Sequence, residues 1–378
     1  MRVGVNTLFL IPGEVGGTET YLCETLRAIA KQAPQVGLVI FTNRENDRWF
    51  SEMLGGYSQI EFQSLNFLAR NRYMRIIREQ IELPVRAKLA HLDLLWSPGY
   101  TAPFICSCPQ VVTIHDMQYK RYPEDLRFVP RLVTDIVVRI SARRSSAVIT
   151  DSAFSKSEIV RQTPTPPESV QVVHLGVGRR FAEGPSQEAI GKNISHIVDA
   201  HQGYILCVAN SYPHKNVHSL VTAFGRIFSD IPHQLVILGR PGLGEECLQK
   251  ALETLPQSGR VTRLSHVSRD ELIALYQGAS LFVFPSLYEG FGLPVLEAMM
   301  AGVPVVTTRC GSIPEIGGDS VLYFDHNNQA DLAKKICEML DLNLGQEMAW
   351  IRRAALRAAK FTWERTAEET VRCFEDVL

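Results

Sequence analysis

The segment FPSLYEGFGLPVLEAMMAGVPVV, residues 284–306, decides the fold. An apolar run, Leu281–Phe284, leads into a short loop with two glycines. Helical spacing follows, and then a second apolar run at 303–307. This order predicts a strand, a turn, a helix and a strand, the repeating unit of a parallel sheet covered by helices on both faces. The expected fold class is therefore α/β.

The same pattern recurs along the chain and predicts two sheets. Strands of the first are expected at 3–6, 37–42, 94–96, 111–114, 147–150 and 170–174. Strands of the second are expected at 204–209, 234–238, 261–264, 281–284, 303–307 and 321–324. Between them, residues 176–201 lose apolar periodicity and gain Gly, Pro and charge, as linkers do. We expect domains at 1–185 and 186–360, with a C-terminal helix in 361–378 that packs back on the first domain.

Helix start signals agree with this organisation. Two pairs have the spacing of a capping box: Ser155 with Glu158, and Ser268 with Glu271. Pro294 suits the first turn of a helix. From residue 329 onward the pattern predicts two or three amphipathic helices without a further strand, the last at 363–378.

Composition excludes several classes of protein. Of 378 residues, 46% are hydrophobic and 21% charged, which is typical of globular proteins and not of disordered, collagen-like or coiled-coil chains. Lys and Arg number 39 against 40 Asp and Glu, so nothing in the net charge of -1 favours nucleic-acid binding. We find neither a signal peptide nor a long apolar span, and we expect a cytoplasmic protein.

Eight scattered cysteines show no paired CxxC spacing, so we predict reduced core thiols and no zinc site. They are Cys23, Cys106, Cys108, Cys207, Cys247, Cys310, Cys337 and Cys373.

The glycine loop of the opening segment predicts a ligand site. Glycines let a backbone approach a ligand, and a helix N-terminus attracts phosphate. Glu289 stands before the loop and Glu297 one turn into the helix, and carboxylates repel phosphate but accept hydrogen bonds from sugar hydroxyls. A ligand with sugars on both sides of its phosphates, such as a nucleotide sugar, fits this pattern. The alternative is an ordinary surface helix with two solvated glutamates.

Glu289 and Glu297, with GFGLP between them, resemble the E-x7-E signature of the retaining family-4 glycosyltransferases. Four further segments resemble motifs of that family: GGTETY (16–21), TIHDM (113–117), VITDSAFSKSEI (148–159) and SYPHKN (211–216). AMMAGVPVVTT and PEIGGD follow in the family's order. The resemblance implies the GT-B architecture, with two Rossmann-like domains facing a cleft and the donor held mainly by the C-terminal one.

The resemblance also implies roles for individual residues. Glu297 would accept hydrogen bonds from the donor ribose, and Glu289 would contact hydroxyls of the transferred sugar. Lys215 would place a positive charge on the leaving diphosphate. His115 would lie beside the anomeric carbon and orient the sugar. It is not assigned as general base, because the departing phosphate oxygen is expected to take the proton from the attacking hydroxyl. The remaining donor-binding positions would be Gly16, Gly17, Asn210, Val267, Gly290, Phe291, Gly292 and Leu293.

The chain departs from the family's pattern in its basic loop. His214 stands where relatives commonly have Arg, and Asn210 stands where some relatives have a second Arg. Fewer positively charged side chains would therefore contact the diphosphate than is usual in the family. Arg240 would supply additional positive charge if its side chain points toward the diphosphate. The alternative is that Arg240 is a solvated loop residue. The backbone around His266 and Val267 would read the edge of the donor base. Since the chain has no D-x-D motif, we expect metal-independent transfer without a cofactor.

The acceptor side is represented by residues 66–90. Its basic residues are Arg70, Arg72, Arg75, Arg78, Arg86 and Lys88, against Glu79 and Glu82. One interpretation is that this basic, amphipathic segment binds an anionic membrane surface. A plain surface helix with an apolar inner face explains the pattern equally well.

Together these observations predict a retaining glycosyltransferase that moves a hexose to a saccharide or a lipid-linked saccharide. The preferred sugar is mannose or a GDP-linked deoxyhexose. UDP- and dTDP-sugars stay open as donors. Two other functions were weighed: a catalytically silent nucleotide-sugar-binding subunit and a dinucleotide-dependent oxidoreductase. The oxidoreductase fingerprint fails, because Val295 stands where a third glycine belongs and Arg309 where an acid would bind the ribose.

Overall fold

A computed structural model of the chain describes residues 1–123, 128–183, 194–198, 203–256 and 258–378. These residues form two compact units. Unit 1 comprises Met1–Gly176 together with Thr362–Leu378, and unit 2 comprises Val177–Phe361. The boundary expected between residues 185 and 186 lies outside the described residues.

Unit 1 contains a parallel seven-stranded sheet in the order β3-β2-β1-β4-β5-β6-β7. Its strands are β1 (Arg2–Asn6), β2 (Gly37–Thr42), β3 (Ile60–Ser64), β4 (Leu94–Ser97), β5 (Gln110–Thr113), β6 (Ala147–Thr150) and β7 (Val170–Val172). The central strand β1 pairs with β2 on one side and with β4 on the other, Val3 lying opposite both Leu38 and Leu94. Apolar side chains fill both faces of the central strands, as expected where helices cover both faces.

Helices connect these strands. They are α1 (Gly17–Gln32), α2 (Asp47–Leu54), α3 (Arg72–Ile77), α4 (Leu83–Leu89), α5 (Gln118–Arg121), α6 (Phe128–Arg144) and α7 (Ala153–Gln162). A π-helical turn, Arg78–Glu82, joins α3 to α4. α1 begins after Gly16 and buries one face, which includes Tyr21, Leu22 and Leu26.

Unit 2 contains a parallel six-stranded sheet in the order β10-β9-β8-β11-β12-β13. Its strands are β8 (Tyr204–Val208), β9 (Gln234–Leu238), β10 (Val261–Leu264), β11 (Leu281–Phe284), β12 (Val305–Thr308) and β13 (Leu322–Phe324). The chain builds outward from β8 to β10 and then returns to place β11 on the other side of β8. A crevice is therefore expected at the carboxyl ends of β8 and β11, where the strand order reverses.

The helices that follow in the chain are α8 (Val217–Arg226), α9 (Glu245–Glu253), α10 (Arg269–Gly278), α11 (Leu293–Met300), α12 (Ile313–Gly317), α13 (Gln329–Leu340), α14 (Leu344–Ala358) and α15 (Trp363–Glu375). The last, α15, belongs to unit 1 and packs against α1. Its Phe374 is fully buried, with its ring 5.5 Å from that of Trp96.

The two-sheet α/β architecture is confirmed, and so are the capping box at Ser268 and the early proline of α11. Two expectations were wrong. β3 was missed, because it is a half-exposed edge strand whose sequence, IEFQS, is mostly polar. α7 begins one turn earlier than predicted, since the side chain that accepts the Ser155 N–H is that of Ser152.

The eight cysteines are free thiols, but only part of them lie in the core. Cys23, Cys207 and Cys373 are buried, whereas Cys247 is exposed on the solvent side of α9 and the others are half-buried. Among the described helices, none is long and apolar enough to cross a membrane.

Candidate functional site

The loops after β8 and β11 meet at the carboxyl edge of the unit 2 sheet. One carries Asn210 and Lys215, and the other carries Glu289 and the glycine turn. Because β8 and β11 are neighbouring parallel strands, both loops emerge at the same edge, where the order of the sheet reverses. The structure therefore brings together two segments that lie about 75 residues apart in the sequence.

A buried ion pair joins these loops. The ammonium Nζ of Lys215 donates to Oε1 of Glu289 at 2.6 Å, and Nζ lies 5.7 Å from the centre of the Phe284 ring. The Lys215 side chain is 22% exposed and that of Glu289 only 9%. A carboxylate this deeply buried needs a charged or hydrogen-bonding partner, and Lys215 provides one.

Backbone contacts hold the two loops in register. The carbonyl of His214 accepts the N–H of Leu287 at 2.7 Å and the hydroxyl of Ser286 at 3.3 Å. Asn216, in the left-handed region with φ of 54°, donates its side-chain amide to the Pro285 carbonyl at 3.3 Å. These contacts place the neighbouring Lys215 against Glu289, and no local sequence pattern indicates them.

His214 does not replace the arginine expected at this point of the loop. Burial and the nearby Lys215 charge lower the pKa of His214 to about 3, so its ring is neutral at pH 7. The ring stacks on Tyr212 with centroids 5.8 Å apart. Lys215 therefore supplies the permanent positive charge of the turn 210–216.

The segment after β12 supports the backbone of Glu289. The hydroxyl of Ser312 donates to the carbonyls of Phe291 at 2.6 Å and Glu289 at 3.1 Å, and its N–H donates to Glu289 at 3.1 Å. Gly311 has φ of 63°, and a Cβ there would lie 2.5 Å from the Glu289 carbonyl oxygen. Only glycine fits without displacing Glu289. The sequence signal was a glycine three residues after the end of a strand.

The predicted glycine turn caps α11. Gly290, Phe291 and Gly292 are buried, and Leu293 is the first helical residue. Gly292 has φ of 106°, a conformation that favours glycine. The turn presents the N-terminal end of α11, which carries a partial positive charge, at the same strand edge as Glu289.

Glu297 has a different environment from Glu289. Its Oε2 accepts the hydroxyl of Tyr276 at 2.9 Å, and Tyr276 is fully buried. Burial raises the pKa of Glu297 to about 7, against the opposing effects of the Tyr276 hydrogen bond and the charge of Arg269. The sequence did not predict Tyr276, because it lies on helix α10, 21 residues before Glu297.

The remaining predicted positions of unit 2 lie on loops of the same sheet. Oδ1 of Asn210 accepts the backbone N–H of Arg240 at 2.8 Å, which ties the loops after β8 and β9 together. The side chains of Asn210 and Arg240 are exposed. Val267 is half-buried and His266 exposed, both just after β10.

His115 lies at the carboxyl end of β5 in unit 1. Its Nδ1 is 2.8 Å from Oδ2 of Asp151, and both residues are buried. Burial opposes the charged imidazolium, but the charge and hydrogen bond of Asp151, aided by Asp116, raise the pKa of His115 above its ordinary value. Asp151 therefore fixes the ring and favours a proton on Nδ1. The sequence placed Asp151 in a family motif without a role.

Two tyrosines surround His115. The rings of Tyr21 and Tyr100 meet it edge-on, with centroids 4.9 and 5.3 Å away. Tyr100 has φ of 69°, which is strained for an aromatic residue, and its hydroxyl donates to Oδ1 of Asp116 at 3.2 Å. Strain of this kind is concentrated at functional sites.

Gly16 and Gly17 are exposed at the start of α1, and Gly16 has φ of 66°. The predicted residues thus form two groups, with Gly16, Gly17 and His115 in unit 1 and the others in unit 2.

Two family models match the chain, one for each unit. Residues 15–179 match the family "Glycosyltransferase Family 4", and residues 193–357 match "Glycosyl transferases group 1". The two matches do not overlap and together cover most of the sequence.

The chain is similar to curated mannosyltransferases. It is 29% identical to the O-antigen chain mannosyltransferase B of Escherichia coli over 272 residues, 70% of each protein. It is 27% identical over 250 residues to the O-antigen chain mannosyltransferase RfbU of Salmonella typhimurium, covering 66% of this chain and 65% of that one.

Among solved structures, HepE of Anabaena in complex with UDP and glucose is similar over 99% of both chains. The TM-score is 0.76 at 18% sequence identity, so this similarity concerns the fold.

Proposed function

Because the chain belongs to the family-4 glycosyltransferases and is an enzyme of that class, we propose that it is a retaining, metal-independent hexosyltransferase. Its donor would be a nucleotide diphosphate sugar, with GDP-mannose or a GDP-deoxyhexose preferred. Its acceptor would be a hydroxyl of a saccharide or lipid-linked saccharide.

The contact between Lys215 and Glu289 carries the proposal. It puts a cation and a carboxylate within 2.6 Å of each other, beside the N-terminal end of α11. A nucleotide diphosphate sugar presents an anionic diphosphate directly beside a ring of hydroxyls, so one ligand satisfies both groups. A simple phosphate ligand would leave Glu289 unexplained.

We assign the donor's parts to the residues of unit 2 as follows. Lys215 and the backbone of Gly290, Phe291, Gly292 and Leu293 would bind the diphosphate. Glu297 would accept hydrogen bonds from the ribose hydroxyls, and Glu289 from the sugar. Asn210 would position the loop and Val267 would contact the base.

Catalysis would consist mainly of stabilising the leaving group. As the bond between the anomeric carbon and the diphosphate oxygen breaks, negative charge grows on that oxygen, and Lys215 stabilises this charge more than the ground state. Such a contact contributes roughly 2–4 kcal/mol. The departing oxygen would accept the proton of the attacking hydroxyl on the same face of the sugar, which retains configuration. His115 would orient the sugar, and Gly16 and Gly17 would contact it through their backbone.

Donor choice can be tested directly. GDP, UDP, dTDP and ADP would be compared in thermal-shift measurements, because a ligand that binds the native state raises its melting temperature. We expect the largest rise with GDP, which the similarity to O-antigen mannosyltransferases supports. A larger rise with UDP would contradict the GDP assignment while leaving the glycosyltransferase class intact.

The stereochemistry and the metal requirement need separate measurements. With GDP-mannose and a saccharide acceptor, we expect an α-linked product by NMR and an unchanged initial rate in EDTA. A β-linked product would contradict retention. Loss of activity in EDTA that Mg²⁺ restores would contradict metal independence.

An exposed apolar stripe on unit 1 supports peripheral contact with an anionic membrane, the source of a lipid-linked acceptor. Its members follow at four-residue spacing, and each is at least 48% exposed: Tyr73, Ile77, Ile81, Val85 and Leu89. Arg72, Arg86 and Lys88 lie on the same segment, although Glu82 pairs with Arg86. Apolar side chains beside cations suit the interface of an anionic bilayer.

Flotation with vesicles of phosphatidylglycerol and phosphatidylcholine would test this contact. We expect the protein to float with the vesicles at low salt and less at high salt. The double substitution Tyr73→Ser with Ile81→Ser should abolish flotation without loss of the fold, since both side chains are exposed. Leu243→Ser, at an exposed position of unit 2, is the matched control. No flotation of the unmodified protein at low salt would leave the segment as a plain surface helix.

A further inference from the structure

Two cysteines face each other in the segment that joins β4 to β5. The Sγ atoms of Cys106 and Cys108 are 3.6 Å apart, and both residues are half-buried. They pack at the edge of an apolar cluster that also includes Met74 and Ala90. Ser107, between them, is exposed. Both sulfur atoms therefore lie side by side near the surface of unit 1, in a segment without regular secondary structure.

The two thiols are chemically unequal. The contact between the two thiols lowers the pKa of Cys106 below its ordinary value and raises the pKa of Cys108. Cys106 is therefore the thiol that loses its proton more readily, and the thiolate is the nucleophilic form of cysteine. Cys108 holds the proton and stands within reach as the second thiol. One activated thiolate beside one resolving thiol is the arrangement that dithiol exchange requires.

Two anchored residues bracket the pair. The segment is anchored ahead of it by Phe104, whose N–H donates to Gln80 at 2.9 Å. It is anchored behind it by Gln110, the first residue of β5. Between these anchors the chain follows neither a helix nor a strand. The sulfur atoms need to approach by only about 1.5 Å to reach bonding distance.

We propose that Cys106 and Cys108 form a reversible dithiol–disulfide site whose reaction partner is a low-molecular-weight disulfide such as oxidised glutathione. The Cys106 thiolate attacks one sulfur of the oxidant, forming a mixed disulfide and releasing one thiolate. Cys108 then loses its proton to the medium or to that thiolate and attacks the Cys106 sulfur, releasing the second thiol. Two electrons pass to the oxidant, whose single disulfide becomes two thiols.

Reduction is expected to be easy. A disulfide between residues two apart closes a very small ring, and disulfides held in tight or exposed geometry are more readily reduced than structural ones. The product would therefore respond to the surrounding thiol–disulfide ratio. This inference is independent of the donor and acceptor proposed above.

Thiol trapping tests the site. The full chain would be incubated with oxidised glutathione, alkylated with N-ethylmaleimide at neutral pH without denaturant, and mapped by mass spectrometry. We expect Cys106 and Cys108 to appear in one peptide that has lost two hydrogens and carries no maleimide label. Treatment with dithiothreitol should restore labelling of both cysteines. Cys207, which is fully buried, should stay unreacted and so shows that the fold is intact.

Variants separate this site from general thiol reactivity. Cys108→Ser should trap glutathione on Cys106 as a stable mixed disulfide, because no second thiol is left to attack it. Cys106→Ser should form no internal disulfide under the same conditions. Cys247→Ser, which removes an exposed thiol elsewhere, should form the internal disulfide as the unmodified chain does. The proposal is overturned if Cys106 and Cys108 are both labelled after oxidation, or if glutathione accumulates on Cys247 while the pair stays reduced.

Discussion

The side chain of Lys215 carries the positive charge that the proposed donor needs. Since His214 is neutral, Lys215→Ala should weaken the affinity for the nucleoside diphosphate by about 10- to 100-fold, the value of one or two charge-assisted hydrogen bonds. Calorimetry with the nucleotide that gives the largest thermal shift is the measurement. Lys250→Ala, which removes an exposed lysine of α9, should leave the affinity unchanged. Equal affinity of the Lys215 variant would place the diphosphate elsewhere.

Glu289 should affect turnover more than folding. Glu289→Ala removes the proposed contact with the sugar and should lower kcat at least ~100-fold, equivalent to several kcal/mol of transition-state stabilisation. Circular dichroism should remain that of a folded protein, with a lower melting temperature because Lys215 loses its carboxylate partner. Glu246→Ala, at an exposed site of the same unit, serves as the control. Near-normal kcat would refute the assigned role.

Glu297 makes a pH-dependent contribution to stability. Its pKa of about 7 in the folded protein exceeds the ordinary 4.5, so the folded state binds its proton more tightly than the unfolded state does. This contribution is fully present below pH 4.5 and is lost as the pH rises through 7. Glu297→Gln should therefore gain melting temperature relative to the unmodified protein between pH 5 and pH 8. A constant difference across that range would show that Glu297 titrates normally.

Individual residues differ in how far the sequence could predict them. Glu289 and Lys215 were assigned to the same ligand by the family resemblance, and the two side chains are in contact in the structure. The partners Asp151, Tyr276 and Ser312 were not foreseen. Their hydrogen bonds link segments 21 or more residues apart and depend on loop geometry, which no local pattern encodes.

The loop after β12 holds the loop after β11 in place. Gly311→Ala would force a side chain into the left-handed region and against the Glu289 carbonyl, so it should cost roughly 1–3 kcal/mol and lower kcat together with stability. Thermal melting and initial rates provide the readout. Gly259→Ala is the matched control, since a Cβ there meets nothing within 4 Å. Equal behaviour of the two variants would contradict the proposed support.

Element boundaries show what periodicity can and cannot predict. Buried strands such as β2, β9 and β11 were predicted to the residue. Runs of four to six apolar, mostly β-branched or aromatic residues are too short for a typical helix and indicate a buried strand. The edge strand β3 lacked that signal. The start of α7 was misplaced because Ser152 and Ser155 are both competent caps, and the choice between them depends on where the preceding strand ends.

At the scale of the whole molecule, α15 completes unit 1 from the far end of the sequence. Phe374→Ala should destabilise unit 1 by roughly 3–5 kcal/mol, because the ring is fully buried beside Trp96. The melting temperature is the measurement, and tryptophan fluorescence should report the loss first. Leu378→Ala, at an exposed position, should change neither. An unaltered melting curve for Phe374→Ala would mean that the helix docks weakly.

The two-unit organisation could be read from the change of composition between the sheets. The described chain leaves unit 1 at Gly176, where the polar segment 176–201 begins, and Gly176 is packed against the backbone of Trp363. A close approach between residues so far apart in sequence has no local signature.

Because α15 lies at the far end of the sequence, unit 1 is completed late during synthesis. On the ribosome, the first 176 residues emerge without the helix that covers α1, and the missing piece follows only after all of unit 2 has been made. At about 5–20 residues per second, that interval lasts roughly 10–40 s. During it, unit 1 lacks the helix that packs against α1, so chaperone demand should peak in that interval and fall once α15 has been released.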